Sequence, residues 1–292
     1  MNTTAIFLVA FSAAAHASRD FLTKKAADKQ VFTWWYQLWG LVFFLPLFLY
    51  FAFAQGIPLP AAIYLGLFSG AVYFIYWFLL AKTYEEGDLS RVYPITRSSP
   101  ALVLIFSILV LDEEISQLGG IGIGLMITGV YCINMKQFST AELLAPIRSI
   151  RHDRPTQFAF LTLISVTLYS IVDRLAIDYL HPVVYLFLLS LCGTIFFTPY
   201  ILKTKTRAAI GAEWQNHKKA ILLNGILVLY GYIPILIAFT LERLSYVVSL
   251  RQLSIVFAVL MGGQLLQEPH KLIRFLAAAV IVAGAVLISL ST

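Results

Sequence analysis

The hydrophobic positions of this chain fall in long uninterrupted runs that short polar segments separate. A helix needs about 20 apolar residues to cross a hydrocarbon core of about 30 Å. Ten runs are close to this length, and they occupy residues 4–22, 31–53, 60–81, 91–111, 117–135, 157–177, 182–202, 219–241, 245–266 and 272–290. The pattern predicts an all-α integral membrane protein with ten transmembrane helices.

Composition and charge agree with this class of protein. Of the 292 residues, 60% are hydrophobic and 12% are charged, whereas soluble domains have about 25% charged residues. Sixteen Lys and Arg residues lie in loops that follow odd-numbered spans, and only Arg243 lies in an even-numbered loop or a terminus. Because cytoplasmic loops carry the excess of basic residues, we expect a multi-pass protein of the cell (inner or plasma) membrane. The odd-numbered loops are then cytoplasmic and both termini lie outside. The net charge of +6 reflects topology, and we expect no nucleic-acid partner.

The second half of the chain repeats the first with an offset of about 154 residues, which places Arg97 over Arg251. We predict three parts: a first five-helix repeat (1–137), a cytoplasmic linker (138–156) and a second five-helix repeat (157–292). An odd number of spans in each half means that the halves insert in opposite senses. Such inverted repeats are a transporter architecture, with substrate held near the midplane between them.

Arg97 and Arg251 each lie several residues inside a predicted span. An arginine at the bilayer centre costs about 2.5–3.5 kcal/mol on insertion scales, so it normally faces a cavity or a partner. One interpretation is contact with substrate, since guanidinium groups bind oxyanions through paired hydrogen bonds. The other is a structural ion pair with a carboxylate such as Asp20 or Asp173. An ion pair that opens when a ligand arrives would combine the two.

Further intramembrane polar residues extend the set of candidate substrate-binding residues. We expect Asp20 and Asp173 to face the cavity and to meet an ammonium group or carry a coupling proton. His16 lies one helical turn before Asp20 and is a second candidate for proton coupling. Arg19 and Arg174 point about 100° away from the neighbouring aspartates, and we expect them to extend to the membrane surface. The remaining candidates are Tyr76, Trp77, Tyr93, Tyr169 and Ser254.

These features resemble the EamA family of the drug/metabolite transporter superfamily over nearly the whole chain. His16–Asp20 lies where a subgroup of that family has His-Ala-x-Trp-Asn. Residues 93–97 match Tyr-Pro-x-x-Arg, and residues 251–257 match Arg-x-x-Ser-x-Val-Phe. The first pattern departs from the subgroup, because Arg19-Asp20 replaces Trp-Asn. The substrate of a relative therefore does not transfer to this chain.

The resemblance implies a secondary carrier that works by alternating access, with relatives that move amino acids, other small polar metabolites or organophosphonates. We expect the partners to be the lipid bilayer and a small charged metabolite, such as an amino acid or another anionic or zwitterionic solute. An alternative is a flippase or carrier for a lipid-linked or amphipathic substrate, because the same fold is implied to handle large amphipaths.

A membrane-embedded enzyme is the least favoured class. The chain has no Gly-x-x-x-x-Gly-Lys-[Ser/Thr] loop, no His-Glu-x-x-His and no Gly-x-Ser-x-Gly. We therefore expect no enzymatic activity, no cofactor and no metal. Gly66-x-x-x-Gly70 and Gly120-x-x-x-Gly124 permit close helix contact, either within the protein or in a homodimer.

Overall fold

The computed structural model describes residues 1–57, 59–86, 92, 95–132, 153–257 and 271–291. Every regular element within these ranges is helical. The helices are α1 (Thr3–Lys24), α2 (Lys29–Gln55), α3 (Leu59–Glu86), α4 (Ser99–Leu111), α5 (Gln117–Cys132), α6 (Arg154–Ala176), α7 (Pro182–Thr204), α8 (Arg207–Tyr230), α9 (Ile233–Leu241), α10 (Leu244–Leu250) and α11 (Lys271–Leu290).

Six helical segments of the described chain are long and apolar enough to cross a membrane. Four shorter apolar segments accompany them: Ile95–Leu111, Gln117–Cys132, Leu244–Phe257 and Phe275–Leu290. The prediction of an all-α multi-pass membrane protein is therefore confirmed. The count of ten complete spans stays a prediction.

Polar residues begin several of the long helices. The side chains of Asn2, Asp28, Asp153 and Thr206 each accept a hydrogen bond from a backbone N–H in the first turn of the helix that follows. Such caps satisfy donors that have no partner inside the helix. They explain why long apolar sequences start at defined residues.

Two spans that the sequence predicts as continuous are interrupted beside their arginines. Ser98 has non-helical dihedral angles (φ −79°, ψ 13°) between a short helical segment at 95–97 and the start of α4. Pro100, in the first turn of α4, has no N–H to continue the preceding helix. In the second repeat, Arg251 and Gln252 form a turn between α10 and a helical segment at 253–257. The two breaks occupy equivalent places in the two repeats.

The predicted eighth span, 219–241, is also divided. The helix begins earlier than predicted, at Arg207, and it carries a non-helical residue at His217. A turn at Gly231 and Tyr232 then separates α8 from α9. Pro234 in the first turn of α9 explains this second interruption, because proline cannot donate to the preceding turn.

The repeats pack against each other through equivalent pairs of helices. Helix α2 contacts α8, and α3 contacts α7. These two pairs are equivalent, because in each the second helix of one repeat contacts the third helix of the other. The last helices of the two repeats, α5 and α11, also pack on each other. A Cβ atom on Gly122 of α5 would lie 2.8 Å from the carbonyl oxygen of Gly284 on α11, and one on Gly284 would lie 2.6 Å from that of Gly122. Only glycine allows this backbone approach. Gly66 and Gly70 likewise face α7, so this pair serves packing within the protein.

The polar ends of the helices gather in two groups. The amino group of Met1 donates to the carbonyl oxygens of Ser289 and Ser291, and the backbone N–H of Asn2 donates to the Glu242 carboxylate. In the other group, Lys205 Nζ lies 2.6 Å from Asp28 Oδ2. The first group joins both ends of the chain to an even-numbered loop, and the second joins two odd-numbered loops. This grouping agrees with the alternation in the sequence, whereas the side that faces the cytoplasm stays a prediction.

Candidate functional site

A cavity of about 520 Å³, a volume that includes its opening, lies between the two repeats. Its walls come from α1, α3, α4, α6 and α10 and from both helix breaks. Six of the residues that the sequence nominates line it: His16, Tyr76, Arg97, Tyr169, Arg251 and Ser254. The other lining residues are Leu80, Thr96, Ser99, Thr162, Val166, Ser170, Val248 and Gln252. Arg97 and Arg251, from different repeats, thus line the same cavity.

Arg97 belongs to a cluster of charges around Asp20. Its Nη2 lies 3.5 Å from Asp20 Oδ2, and Arg19 Nη2 lies 3.2 Å from Asp20 Oδ1. The ion pair between Arg97 and Asp20 is the one that the structural interpretation named. The expectation for Arg19 was wrong, because its long side chain turns back onto its neighbour instead of extending to the surface. These three charged side chains carry one net positive charge.

His16 bridges the same cluster in its neutral form. Arg19 Nη2 lies 2.7 Å from His16 Nδ1. A guanidinium can only donate, so Nδ1 is the acceptor and Nε2 carries the ring hydrogen. That hydrogen faces Asp20 Oδ2, which lies 3.4 Å from Nε2. His16 therefore orients Arg19 and Asp20 and leaves the net charge of the cluster unchanged.

Arg251 has a different environment. Its guanidinium carbon lies 5.0 Å from the centroid of the Tyr232 ring, a cation–π geometry. No carboxylate of the described residues lies within 4.0 Å of its nitrogen atoms, so an ion pair with Asp173 is not formed there. A cation over an aromatic face keeps its donors available for an anion. Arg251 is thus the better placed of the two arginines to receive one.

Asp173 is fully buried and lies outside the cavity lining. The expectation that it faces the cavity was wrong, because three tyrosine hydroxyls enclose its carboxylate. Tyr73 and Tyr232 lie 2.8 and 2.6 Å from Oδ2, and Tyr185 lies 2.5 Å from Oδ1. The ring of Tyr73 lies against that of Tyr169 in the cavity wall, with centroids 4.5 Å apart. The cluster of Asp173 and its three tyrosines is therefore separated from the cavity by Tyr169.

Sequence reasoning missed Tyr73, Tyr185 and Tyr232 as partners of Asp173. A general signal did exist, since a buried carboxylate must find donors or a cation. The three tyrosines are 100, 12 and 59 residues from Asp173, and no local pattern connects them.

The remaining nominated residues have varied positions. Asp20 does not line the cavity itself, but its carboxylate contacts two residues that do, Arg97 and His16. Trp77 packs against Phe197 of α7, with ring centroids 5.9 Å apart, and it does not line the cavity as expected. Tyr93 lies outside the described residues. Arg174, which was not nominated, pairs with Asp178 at 2.7 Å near the end of α6.

The arrangement is suited to binding an oxyanion. Two guanidinium groups reach the cavity from helix breaks in opposite repeats, and Ser99, Thr162, Ser170 and Ser254 line the same cavity. The start of α4 at Ser99 adds the positive end of a helix dipole. Among the described residues, no group of three or more His, Cys, Asp or Glu residues is arranged to hold a metal ion.

Comparisons with known proteins address the family and the fold. The model of the EamA-like transporter family matches residues 3–135 and 156–290. No curated protein matches the chain. One solved structure, described only as "Crystal structure of protein", has a TM-score of 0.65 and 17% identity, and the match covers 98% of this chain and 95% of that chain. At this identity the likeness concerns the fold alone.

Proposed function

The chain belongs to the EamA-like transporter family, and from this premise we propose that it is a secondary transporter for a small anionic or zwitterionic metabolite, with amino acids as the first class to test. One observation carries the proposal. Each repeat contributes one intramembrane arginine, at a helix break, to the same cavity. A site between inverted repeats, formed where helices are discontinuous, is where transporters of this architecture hold their substrates.

The charges of the site favour an anionic group on the substrate. Arg251 has no carboxylate within 4.0 Å among the described residues, and the cluster of Arg19, Arg97 and Asp20 has one net positive charge. Positive charge inside a membrane is costly unless it is compensated. A carboxylate or phosphonate at Arg251 supplies that compensation through charge-assisted hydrogen bonds.

A zwitterion uses both ends of the site. The Asp20 side chain is 42% exposed although two arginines approach it. Asp20 lies behind His16 and Arg97, which line the cavity. An ammonium group on the substrate reaches this carboxylate by displacing Arg97, while the substrate carboxylate lies at Arg251. In that binding mode the ion pair between Arg97 and Asp20 loosens as substrate arrives, which makes the pair part of a gate.

The lining favours a small solute over an amphipath. Three of the fourteen lining residues, Leu80, Val166 and Val248, are aliphatic, and the side chains of the other eleven all carry polar atoms. A flippase for a lipid-linked substrate needs an apolar path for the chain. The flippase alternative therefore has less support than the small-solute carrier.

Alternating access follows from the inverted repeats, with the repeats moving against each other around the arginines. The predicted orientation places the site in a cell membrane, with both termini outside and the odd-numbered loops in the cytoplasm. At the end that carries the termini, the Glu113 carboxylate contacts the start of α10.

The experiment is uptake by purified protein in proteoliposomes. A radiolabelled amino-acid mixture and labelled methylphosphonate are the probes, and saturable uptake is expected for at least one. Arg251→Gln should reduce that uptake about 10-fold or more, because a charge-assisted hydrogen bond is worth about 1.5–3 kcal/mol. Arg174→Gln is the matched control, since Arg174 pairs with Asp178 at the end of α6, and it should leave uptake unchanged. Absence of saturable uptake, or equal activity of Arg251→Gln and wild type, would contradict the proposal.

A further inference from the structure

Three oxygen atoms in the buried cluster form a triangle of short contacts. Tyr73 Oη lies 2.8 Å from Asp173 Oδ2, Tyr232 Oη lies 2.6 Å from the same oxygen, and the two hydroxyls lie 2.8 Å from each other. All three distances lie in the range of O–H···O hydrogen bonds. Each side of the triangle therefore needs one hydrogen atom.

The number of hydrogens depends on the state of Asp173. The two hydroxyls supply two hydrogens, so an ionised carboxylate leaves one side of the triangle with none. If the hydroxyls then both donate to Oδ2, their own oxygens face each other at 2.8 Å without a hydrogen between them. A proton on Oδ2 supplies the third hydrogen, and each oxygen then donates once and accepts once.

The other carboxylate oxygen does not change this count. Tyr185 Oη lies 2.5 Å from Asp173 Oδ1 and 2.9 Å from Ser69 Oγ. Tyr185 donates to the carboxyl group and Ser69 donates to Tyr185, which satisfies both contacts. The missing hydrogen therefore belongs to the triangle of Asp173, Tyr73 and Tyr232.

We propose that Asp173, Tyr73 and Tyr232 form the protonation site that couples transport to proton movement, an inference that rests on the proposed function. The carboxyl group of Asp173 holds a proton in this conformation and releases it when the cluster opens. In that step the O–H bond of the carboxyl breaks, the proton passes to water, and the electron pair remains on the carboxylate.

Tyr232 links this site to the substrate cavity. Its hydroxyl donates to Asp173, and its ring lies under the guanidinium of Arg251. Tyr232 thus stands between the carboxyl group of Asp173 and the guanidinium of Arg251. The guanidinium of Arg251 thus compensates two anions alternately. It binds the substrate while Asp173 is protonated, and it compensates the Asp173 carboxylate after substrate and proton have left. This exchange predicts that proton and anionic substrate move together.

Among the described residues, three tyrosines and one arginine form the titratable surroundings of Asp173. The groups that face it are Tyr73 from α3, Tyr185 from α7, Tyr232 from the turn between α8 and α9, and Arg251 after α10. Tyr169 of its own helix stacks on Tyr73, and the sequences of α4 and α9 contain no titratable residue. No Lys, Arg or His nitrogen of the described residues lies within 4.0 Å of its carboxylate.

The contacts of Asp20, in contrast, do not require a proton on its carboxyl group. Two arginines lie within 3.5 Å of its carboxylate, which favours the ionised form, and His16 is already neutral. The expectation that Asp20 or His16 carries the coupling proton therefore gives way to Asp173. Asp20→Asn becomes the matched control for Asp173→Asn.

The first test locates the proton by infrared spectroscopy of purified wild-type protein at neutral pH. The carbonyl stretching band of a protonated carboxylic acid should be present, should be reduced or lost in Asp173→Asn, and should persist in Asp20→Asn. An unchanged band in Asp173→Asn would overturn the proposal. This result does not depend on which substrate the protein carries.

The second test measures coupling in proteoliposomes with the radiolabelled amino-acid mixture. The amide of Asp173→Asn donates as the protonated acid does, so we expect this variant to fold and to exchange amino acids across the membrane. It should lose the accumulation that an imposed pH gradient drives in wild type. Accumulation equal to wild type would refute the coupling role. If wild type itself moves no amino acid, the proposed substrate class is wrong, and the infrared comparison still decides the protonation state.

Discussion

The short helix α10 begins on the carboxylate of Glu113, which reaches it from the loop between α4 and α5. The backbone N–H groups of Leu244 and Ser245 donate to this carboxylate, and Ser245 Oγ lies 2.6 Å from Oε2. The acidic residue that follows the fourth span thus caps the helix that positions Arg251. We predict that Glu113→Ala destabilises the protein and also reduces transport.

The magnitude follows from the three contacts. Loss of a helix N-cap costs about 0.5–2 kcal/mol, and a hydrogen bond to a charged group contributes about 1.5–3 kcal/mol. Since Glu113 is only partly buried, we expect a total of about 2–3 kcal/mol. For a large domain this corresponds to a fall in melting temperature of roughly 5–10 °C.

Thermal unfolding in detergent, followed by tryptophan fluorescence, measures this change. Glu114→Ala is the matched control, because Glu114 is the adjacent residue of the same type and is exposed. It should melt within about 1 °C of wild type, since exposed substitutions usually change stability by less than about 0.5 kcal/mol. Equal melting temperatures for Glu113→Ala and Glu114→Ala would refute the capping role and the positioning of Arg251 that depends on it.

Two further predictions concern helix packing and pH. Gly284→Ala places a Cβ atom 2.6 Å from the carbonyl oxygen of Gly122, so it should lower the melting temperature, whereas Gly124→Ala, with nothing within 4 Å, should not. Partial burial lowers the pKa of His181, just before α7, and its Nδ1 accepts from the Val183 N–H. The lowered pKa favours the neutral ring in the folded state, so the stability that it contributes is complete above about pH 6.5 and is lost as pH falls below that value. The difference in melting temperature between wild type and His181→Ala should therefore shrink from about pH 7 to about pH 5, and a constant difference would refute it.

The sequence alone determined the class of protein, the family and the two arginines that line the cavity. Run length is a local property, and a hydrocarbon core of about 30 Å makes it decisive. The offset that places Arg97 over Arg251 is likewise readable from the chain, and the cost of intramembrane charge points to a cavity. These inferences need no knowledge of which helices touch.

Only the tertiary structure decided how the charges are partnered. Arg97 meets Asp20, Arg251 lies over Tyr232, and Asp173 meets tyrosine hydroxyls instead of an arginine. Each of these contacts joins residues of different helices or of the turns between them, so no local periodicity encodes it. Sequence-based prediction also failed for the neighbouring residues Arg19 and Asp20. A long arginine side chain can turn back to an adjacent carboxylate, and helix geometry alone does not forbid this contact. Which donor compensates a buried charge depends on packing between helices, and packing exists only in the folded protein.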